Sequence, residues 1–285
     1  MSDPLKIAPL LSARGLVVAY GGGGGLFARK VQGVPVLKGV DFSIWRGETV
    51  GVVGESGSGK STLGRALLGL VRPVAGTVSF DGIDLLGLDE AGWRPLRRRM
   101  QMIFQDPMSS LNPRHTIGRI LTEPALLHGL APDRRAAERI AADVLDRVGL
   151  PAAAIRRYPH ELSGGQRQRV GIARAVVLRP DFVLADEIVS GLDVSTQAQV
   201  LTILKGLTAE MGLAMAFISH DLSVVRALCD RVYVMRAGIV EEEGTSESLF
   251  RAPKSAYTRT LIDAIPLPEP DPDWLGRGPG SEEAA

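Results

Sequence analysis

The sequence has little of three things, and each shortage excludes a class of protein. Its single cysteine, Cys229, excludes an internal disulfide and a cysteine-held metal cluster, so we expect a small buried residue there. No apolar run approaches the roughly 20 residues that a helix needs to cross a bilayer, and the N-terminus lacks the apolar core of a signal peptide. We therefore expect a soluble chain made in the cytoplasm, with any membrane role supplied by a partner.

Net charge is also small. The 285 residues include 33 Lys and Arg against 32 Asp and Glu, which gives a formal net charge of +1 and no reason to expect a nucleic-acid partner. The arginine cluster from Arg94 to Arg99 has no aromatic residues between its charges. We interpret this cluster as the solvated end of a helix.

What the sequence does contain is a glycine-rich loop between a predicted strand and a predicted helix. Residues 54–62 match the pattern G-x-x-x-x-G-K-[ST], after an apolar strand at 48–53 and before a helix predicted from Leu63 to Leu70. The glycines let successive N–H groups point at one anion, and the helix adds the positive end of its dipole. Lys60 is expected to reach the β- and γ-phosphates, and the Ser61 hydroxyl to bind Mg²⁺. The sequence therefore predicts a nucleoside triphosphate site.

Short strands are predicted on both sides of this loop. Alternating or clustered apolar residues indicate strands at 12–19, 36–44 and 76–80, the last closed by a turn at Asp81-Gly82. The glycine run at 21–25 lacks a Lys-Ser pair and is interpreted as a mobile loop. The first 80 residues thus indicate a β-rich subdomain wrapped around the strand that precedes the phosphate loop.

The segment from about 115 to 160 has the pattern of a helical insertion. Apolar residues between 137 and 148 recur at the spacing of one helix face, with Pro132 near the start and Gly149 at the end. This region therefore predicts an amphipathic helix.

After the insertion the pattern is α/β again. Apolar runs at 182–185 and 213–218 predict strands buried on both faces of a parallel sheet, and residues 231–243 predict a hairpin. The proline-rich residues from 266 onward are expected to be irregular.

Two of these strands lead into side chains suited to phosphate chemistry. Asp186 and Glu187 follow the strand at 182–185, and His220 follows the strand at 213–218. Asp186 is placed to hold Mg²⁺, and Glu187 to polarise a water for attack on the γ-phosphate. Position alone leaves two roles equally open for His220, a γ-phosphate contact and a helix cap.

A second anion site is predicted at residues 162–166, Leu-Ser-Gly-Gly-Gln. Ser163 is a good helix N-cap, and glycine N–H groups open the helix that follows. One triphosphate rarely needs two such sites in one chain, which suggests that the second site serves a neighbouring subunit.

Together the phosphate loop, residues 162–166, Asp186-Glu187 and His220 resemble the nucleotide-binding subunit of an ATP-binding cassette (ABC) transporter. The resemblance covers nearly the whole chain. It implies an α/β fold of the P-loop NTPase class, with a RecA-like parallel-sheet core, an antiparallel β-subdomain and a helical insertion. It also implies an ATPase domain at 1–265 followed by an irregular tail at 266–285.

The resemblance further implies roles for individual residues. Gln105 is similar to the glutamine that touches Mg²⁺ and senses the membrane subunit, Tyr20 to the aromatic residue that stacks on adenine, and 190–193 to the loop that crosses between subunits. Two cassettes would close head to tail around two ATP molecules. The implied catalytic residues are Glu187, His220 and Lys60; the Mg²⁺ ligands are Ser61, Gln105 and Asp186; and the ATP-binding residues are Tyr20, Gly54, Glu55, Ser56, Gly57, Ser58, Gly59, Lys60, Ser61, Thr62, Gln105, Ser163, Gly164, Gly165 and Gln166.

A narrower resemblance concerns residues 104–113, 158–162 and 250–258, which are similar to the ATPases of oligopeptide, dipeptide, glutathione and nickel importers. Such systems pair two ATPases with two membrane permeases and an extracytoplasmic solute-binding protein. The implied location is the cytoplasmic face of the bacterial inner membrane. Ile188 and Gly191 stand where the family usually has Pro and Ala, and we expect these differences to tune activity without abolishing it.

Two other classes use similar motifs. A soluble ABC ATPase with a regulatory or nucleic-acid role commonly carries two cassettes or long coiled coils in one chain, and this sequence has neither. A P-loop kinase would need an acceptor site and has no use for the 162–166 motif. The predicted function is therefore ATP hydrolysis that powers import of a solute, with peptides as the expected class.

Overall fold

The computed structural model describes residues 8–21 and 33–265, and its strands form two sheets. The four-stranded antiparallel sheet has the order β2-β1-β4-β5. Its members are β1 (Leu11–Tyr20), β2 (Val34–Ile44), β4 (Ala75–Phe80) and β5 (Ile83–Asp84). The strands predicted at 12–19, 36–44 and 76–80 are all present.

The six-stranded sheet has the order β10-β9-β3-β8-β7-β6, and every neighbouring pair is parallel except β9 and β10. Its members are β3 (Thr49–Val53), β6 (Met100–Ile103), β7 (Phe182–Asp186), β8 (Ala214–Ile218), β9 (Arg231–Arg236) and β10 (Ile239–Thr245). Every residue of β3, β7 and β8 is buried, as expected where both faces of a parallel sheet are covered. The strand before the phosphate loop thus belongs to this sheet, and the antiparallel sheet packs against it without including it.

The helices lie between and around these strands. They are α1 (Lys60–Leu67), α2 (Glu90–Arg99), α3 (Pro107–Ser110), α4 (Ile117–Leu127), α5 (Arg134–Arg147), α6 (Gly164–Val176), α7 (Val194–Met211), α8 (Leu222–Leu228), α9 (Ser246–Arg251) and α10 (Ala256–Asp263). None of the helices within 8–21 and 33–265 is long and apolar enough to cross a bilayer.

The predicted bounds of the first helix, Leu63 to Leu70, were wrong by three residues at each end. The helix begins at Lys60, directly after Gly59 at φ +105°, and ends at Leu67 before Gly69 at φ +68°. Its first turn is therefore made by the loop motif itself. A side chain on Gly69 would also collide with the Trp93 ring, 2.2 Å from the position of its Cβ.

The helical insertion lies where the sequence predicts it. It contains α4, α5 and short 3₁₀ turns at Ala152–Arg156 and Pro159–Glu161. Asp133 caps α5 by accepting a hydrogen bond from Ala136 N at 2.7 Å, and Gly149 follows the helix at φ +67°. The predicted amphipathic helix is confirmed.

The arginine cluster does form the end of a helix, α2, as interpreted, but Arg99 is only partly solvated. The Arg99 guanidinium pairs with Asp81 at 2.6 Å and with Asp181 at 2.5 Å, so it ties the tip of the antiparallel sheet to the start of β7. Arg98 also points inward, and its Nε lies 3.5 Å from Leu178 O.

Two apolar clusters hold these layers together. One fills the space between the two sheets and α1, and the other lies between the parallel sheet and the helices on its far side. Cys229 is buried in the second cluster, as expected. Most of the glycine run at 21–25 and all of the 266–285 tail lie outside the described residues, so the domain division at 265 stays a prediction.

Candidate nucleotide-binding site

The phosphate loop runs from the carboxyl end of β3 into α1, and its turn requires glycine at Gly54. Gly54 has φ +145°, and a Cβ there would lie 2.1 Å from Met235 O. The loop lines a cavity of about 180 Å³ whose walls are Val36, Ser56, Gly57, Gly59, Lys60, Ser61, Thr62 and Glu187. The only buried loop hydroxyl without a hydrogen-bond partner among the described residues 54–62 is that of Ser58.

Lys60 bends back onto its own loop. Its Nζ donates to Gly54 O and to Glu55 O, both at 2.8 Å, and only 5% of the residue is exposed. Burial lowers the pKa of Lys60, and the carboxylates of Glu187 and Asp186 oppose that shift. The ammonium group is thus held at the loop by two of its three N–H donors, and the third can donate to an incoming phosphate oxygen.

A hydroxyl and a carboxylate meet beside Lys60. Asp186, at the end of β7, is 6% exposed, and its Oδ1 accepts a hydrogen bond from Ser61 Oγ at 3.0 Å. Burial raises the pKa of Asp186, while the Ser61 hydrogen bond works in the other direction. Two preassembled oxygen donors of this kind fit Mg²⁺. Within the described ranges no three His, Cys, Asp or Glu side chains cluster as a metal site, so further ligands would come from an amide side chain, phosphate or water.

Glu187 also lines the cavity. Its backbone is left-handed, with φ +49°, and its N–H donates to Ile218 O at 3.0 Å. Its Oε2 lies 3.2 Å from Gln105 Nε2, and 3.8 Å from Nδ1 of His220, which is largely exposed. Left-handed geometry is costly for a residue with a side chain, by about 1–2 kcal/mol, and such strain is concentrated at functional sites.

The structure therefore brings six predicted residues into one neighbourhood from four separate segments. Lys60 and Ser61 come from the loop, Asp186 and Glu187 from the end of β7, Gln105 from the segment after β6, and His220 from the segment after β8. β3, β7 and β8 are neighbours in a parallel sheet, which is why their carboxyl ends meet at one edge.

The predicted second anion site lies at the start of α6 and does not line this cavity. Ser163 caps the helix by accepting from Gln166 N at 3.3 Å, and Gln166 Oε1 accepts from Ser163 N at 3.1 Å. Gly165 packs against α7, since a Cβ there would lie 2.5 Å from Thr196 Cγ2. Of the described residues, those that line the phosphate-loop cavity are at 36, 56, 57, 59–62 and 187.

Two residues near the loop were not predicted to lie there, although Tyr257 belongs to the 250–258 segment that resembles importer ATPases. Val36 of β2 lines the cavity, and the Tyr257 hydroxyl of α10 accepts a hydrogen bond from Glu55 N at 3.2 Å. Tyr20, predicted to stack on adenine, lies at the end of β1 and is 46% exposed.

This fold and site define a P-loop nucleotide-binding protein. The family model described as ABC transporter matches residues 37–190. The chain belongs to the ABC transporter family, which confirms the predicted family, its fold and its assignment as an ABC ATPase.

Curated relatives extend this match over most of the chain. A Brucella ovis protein named as a peptide import ATP-binding protein is 51% identical over 263 residues, which cover 92% of this chain and 80% of that protein. The glutathione import ATP-binding protein GsiA of Salmonella typhi is 47% identical over 262 residues, which cover 92% of this chain and 42% of GsiA.

Two solved structures similar to this chain are an ATP-binding cassette and a part of an ABC transporter complex. A dimeric post-hydrolysis state of the ATP-binding cassette MJ0796, bound to ADP and Pi, has a TM-score of 0.74 at 30% identity and covers 83% of this chain and 98% of that chain. The cbiO1 protein of Clostridium perfringens, part of the ABC transporter complex cbiONQ, has a TM-score of 0.75 at 27% identity and covers 86% and 91%.

Proposed function

We propose that this chain is the ATP-hydrolysing subunit of an importer and that it drives a solute of the peptide class through a partner permease. The observation that carries the proposal is the convergence of Lys60, the Ser61–Asp186 pair and Glu187 on one cavity. The solute class rests on relatives named for peptide and glutathione import. These relatives give the non-transport alternative no support.

In this proposal the loop at 54–62 holds the phosphates of ATP. Lys60 stays anchored to Gly54 O and Glu55 O and donates its third N–H to a phosphate oxygen, which is a strong acceptor because it is charged. Tyr20 presents an exposed ring on which adenine can stack.

Ser61, Gln105 and Asp186 are the proposed Mg²⁺ ligands. When bound, the metal neutralises the charge that develops on the transferred phosphoryl group. The Ser61–Asp186 hydrogen bond keeps a hydroxyl and a buried carboxylate together in the protein itself, so little rearrangement is needed to present both oxygens.

Glu187 is the proposed general base. A carboxylate on the cavity wall can accept a proton from the attacking water at Oε2, the same atom that Gln105 Nε2 and His220 Nδ1 approach. Gln105 and His220 would then orient this carboxylate and the water. Positioning carries most of the catalysis in phosphoryl transfer, which suits a site built from pre-arranged side chains.

The start of α6 is the proposed second half of a composite site. Ser163, Gly164, Gly165 and Gln166 would face the ATP held by another subunit, since they do not wall this chain's own phosphate cavity. The dimeric MJ0796 cassette supports a two-subunit arrangement. The loop at 190–193 would cross between the subunits, and both homomeric and heteromeric pairs fit these residues.

The permease is proposed to contact a groove beside α4. This groove has a volume of about 830 Å³ and is lined in part by Asn112, Ile120, Pro124 and Leu127. Several of its lining residues come shortly after Gln105 in the chain. In this proposal, closure of the two ATPase subunits around ATP is transmitted through this segment to the permease. The corresponding location is peripheral, on the cytoplasmic face of the bacterial inner membrane, with a solute-binding protein acting outside.

The test is ATPase turnover of the purified chain, alone and in complex with the permease and ATPase encoded beside it. We expect Lys60→Ala to abolish turnover, and we expect wild-type turnover to rise on assembly with permease and on addition of peptide with binding protein. Robust turnover that is indifferent to every membrane partner would contradict the importer assignment while leaving the ATPase in place.

A further inference from the structure

A side chain from the last described helix reaches the phosphate loop. Tyr257 lies in the first turn of α10, 202 residues after Glu55, and its hydroxyl oxygen accepts a hydrogen bond from Glu55 N at 3.2 Å. Tyr257 is 8% exposed and Glu55 is an exposed residue, so this part-buried bond joins a buried side chain to the surface of the loop. One hydrogen bond of ordinary net strength is enough to bias a loop conformation.

The peptide unit that Tyr257 holds is also held by Lys60. This unit consists of the Gly54 carbonyl and the Glu55 N–H, which point in opposite directions across a planar trans peptide. Lys60 Nζ donates to the Gly54 oxygen at 2.8 Å on one side, and the Tyr257 hydroxyl accepts from the Glu55 nitrogen on the other. Because the peptide unit is rigid, Tyr257 fixes the direction of the Gly54 carbonyl as well as that of the Glu55 N–H. The Gly54 carbonyl is the group that accepts the hydrogen bond from Lys60.

Tyr257 is itself fixed from two directions. The Arg236 guanidinium, at the end of β9, lies 4.8 Å from the centroid of the Tyr257 ring. The segment that leads into α10 is anchored by Glu242 of β10, whose two carboxylate oxygens accept from Lys254 N and Ser255 N, each at 2.9 Å. Ser255 Oγ then caps α10 by accepting from Tyr257 N at 3.2 Å.

We propose that Tyr257 is a positioning residue for nucleotide binding, which acts by holding the Gly54–Glu55 peptide and, through it, Lys60 in the geometry that receives phosphate. The inference rests on the proposed function only for the identity of the ligand. The β9–β10 hairpin thereby fixes α10, and α10 contacts the phosphate loop through Tyr257. Binding of phosphate and packing of α10 are coupled through one hydrogen bond.

Tyr257→Phe tests this directly, because it keeps the ring against Arg236 and removes only the acceptor. We expect a three- to tenfold rise in the Kd for ADP measured by calorimetry, and in KM for ATP, the size that loss of one net hydrogen bond produces. We expect kcat to change less than twofold, and the Glu55 amide to exchange with deuterium several-fold faster in nucleotide-free protein.

Tyr233→Phe is the matched control. Its hydroxyl is also buried and hydrogen-bonded, to Ser43 of the other sheet and to Arg231 of its own strand. We expect this variant to lower thermal stability while the Kd for ADP stays within about 1.5-fold of wild type. A purely structural role for Tyr257 would make the two variants behave alike.

Glu242→Ala provides a second route to the same bond, since it releases the start of α10 without touching the ring. It should raise the Kd for ADP by a smaller factor, and the double variant with Tyr257→Phe should bind no worse than Tyr257→Phe alone, because both act through one hydrogen bond. Additive losses, or a Tyr257→Phe chain with wild-type Kd and wild-type Glu55 exchange, would overturn the inference. If Lys60→Ala bound ADP normally, the phosphate site itself would be wrong, which is a different result.

Discussion

The Ser61 hydroxyl and the Asp186 carboxylate, 125 residues apart in sequence, form a 3.0 Å hydrogen bond that links the first turn of α1 to the end of β7. β3, which leads into the phosphate loop, and β7, which ends in Asp186, are not adjacent, because β8 lies between them. The hydrogen bond therefore connects two segments that follow non-adjacent strands of the sheet. It also holds two oxygen atoms beside Lys60. The predicted metal ligands therefore support each other in the protein alone.

Ser61→Ala should weaken the contribution of Mg²⁺ to ATP binding more than it weakens ATP binding without metal. In the wild type we expect Mg²⁺ to strengthen ATP binding, and the variant should lose at least about tenfold of that gain, the scale on which loss of a ligand-shell group weakens metal affinity. The measurement is the Kd for ATP with Mg²⁺ and with chelator. The chelator arm is the internal control, and equal weakening in both arms would contradict a role at the metal.

Glu187→Gln should lower turnover by about 100-fold or more, because an amide cannot accept the proton from the attacking water and a general base contributes about 10²–10⁴-fold. ATP binding should persist, since Lys60 and Ser61 are untouched. We also expect the variant to accumulate as an ATP-dependent closed dimer in size-exclusion chromatography. Wild-type turnover by Glu187→Gln would remove Glu187 from the proposed role.

Gly165→Ala should destabilise the fold because its Cβ would lie 2.5 Å from Thr196 Cγ2. Overpacking of this kind costs about 1–3 kcal/mol, or a Tm lower by roughly 2–10 °C for a chain of this size. Gly164→Ala is the control, since nothing lies within 4 Å of its Cβ position, and its Tm should stay the same or rise slightly.

Thr196→Ser added to Gly165→Ala should restore most of the lost Tm, because it removes the methyl group in the collision. The Thr196 hydroxyl donates to Asp193 Oδ2 at 2.7 Å, and serine can keep that bond. A double variant as unstable as Gly165→Ala would show that the contact with Thr196 is not the cause.

Much of the site could be predicted from sequence because its residues follow strands with a strong apolar signal. β7 and β8 are short, fully buried runs, so Asp186 and His220 are placed by where those runs end. The fixed spacing of the loop motif places Lys60 and Ser61 in the same way. Because the strands pair in parallel, their carboxyl ends lie at the same edge of the sheet, and the residues that follow them are close together.

Contacts between distant segments could not be predicted in this way. Tyr257 meets Glu55 across 202 residues, and Arg99 meets Asp81 and Asp181, yet nothing in the local sequence of Tyr257 or Arg99 names its partner. The start of the first helix was misplaced because Lys60, Ser61 and Thr62 were assigned to the loop motif, whereas they form the first turn of the helix. Each of these features depends on three-dimensional packing that periodicity does not encode.

Asp81 provides a prediction about pH. The hydrogen bond from Arg99 lowers the pKa of Asp81, burial works in the opposite direction, and Arg46 lowers it further through a 2.7 Å contact. A carboxyl whose folded pKa is depressed stabilises the fold above its unfolded pKa, about 3.9, and loses that contribution as pH falls through the folded value. Asp81 therefore stabilises the protein at neutral pH and ceases to do so in acid.

Asp81→Asn isolates this effect, since asparagine has the same shape and tolerates the left-handed backbone at φ +53°. Asp81 is partly exposed, so at pH 7 we expect the variant to be less stable by no more than about 1 kcal/mol. The difference in unfolding free energy should shrink as pH falls from 5 towards 3, and it should also shrink in high salt because the charges are screened. A difference that stays constant from pH 7 to pH 3 would mean that shape, and not the ion pairs with Arg99 and Arg46, is what Asp81 contributes.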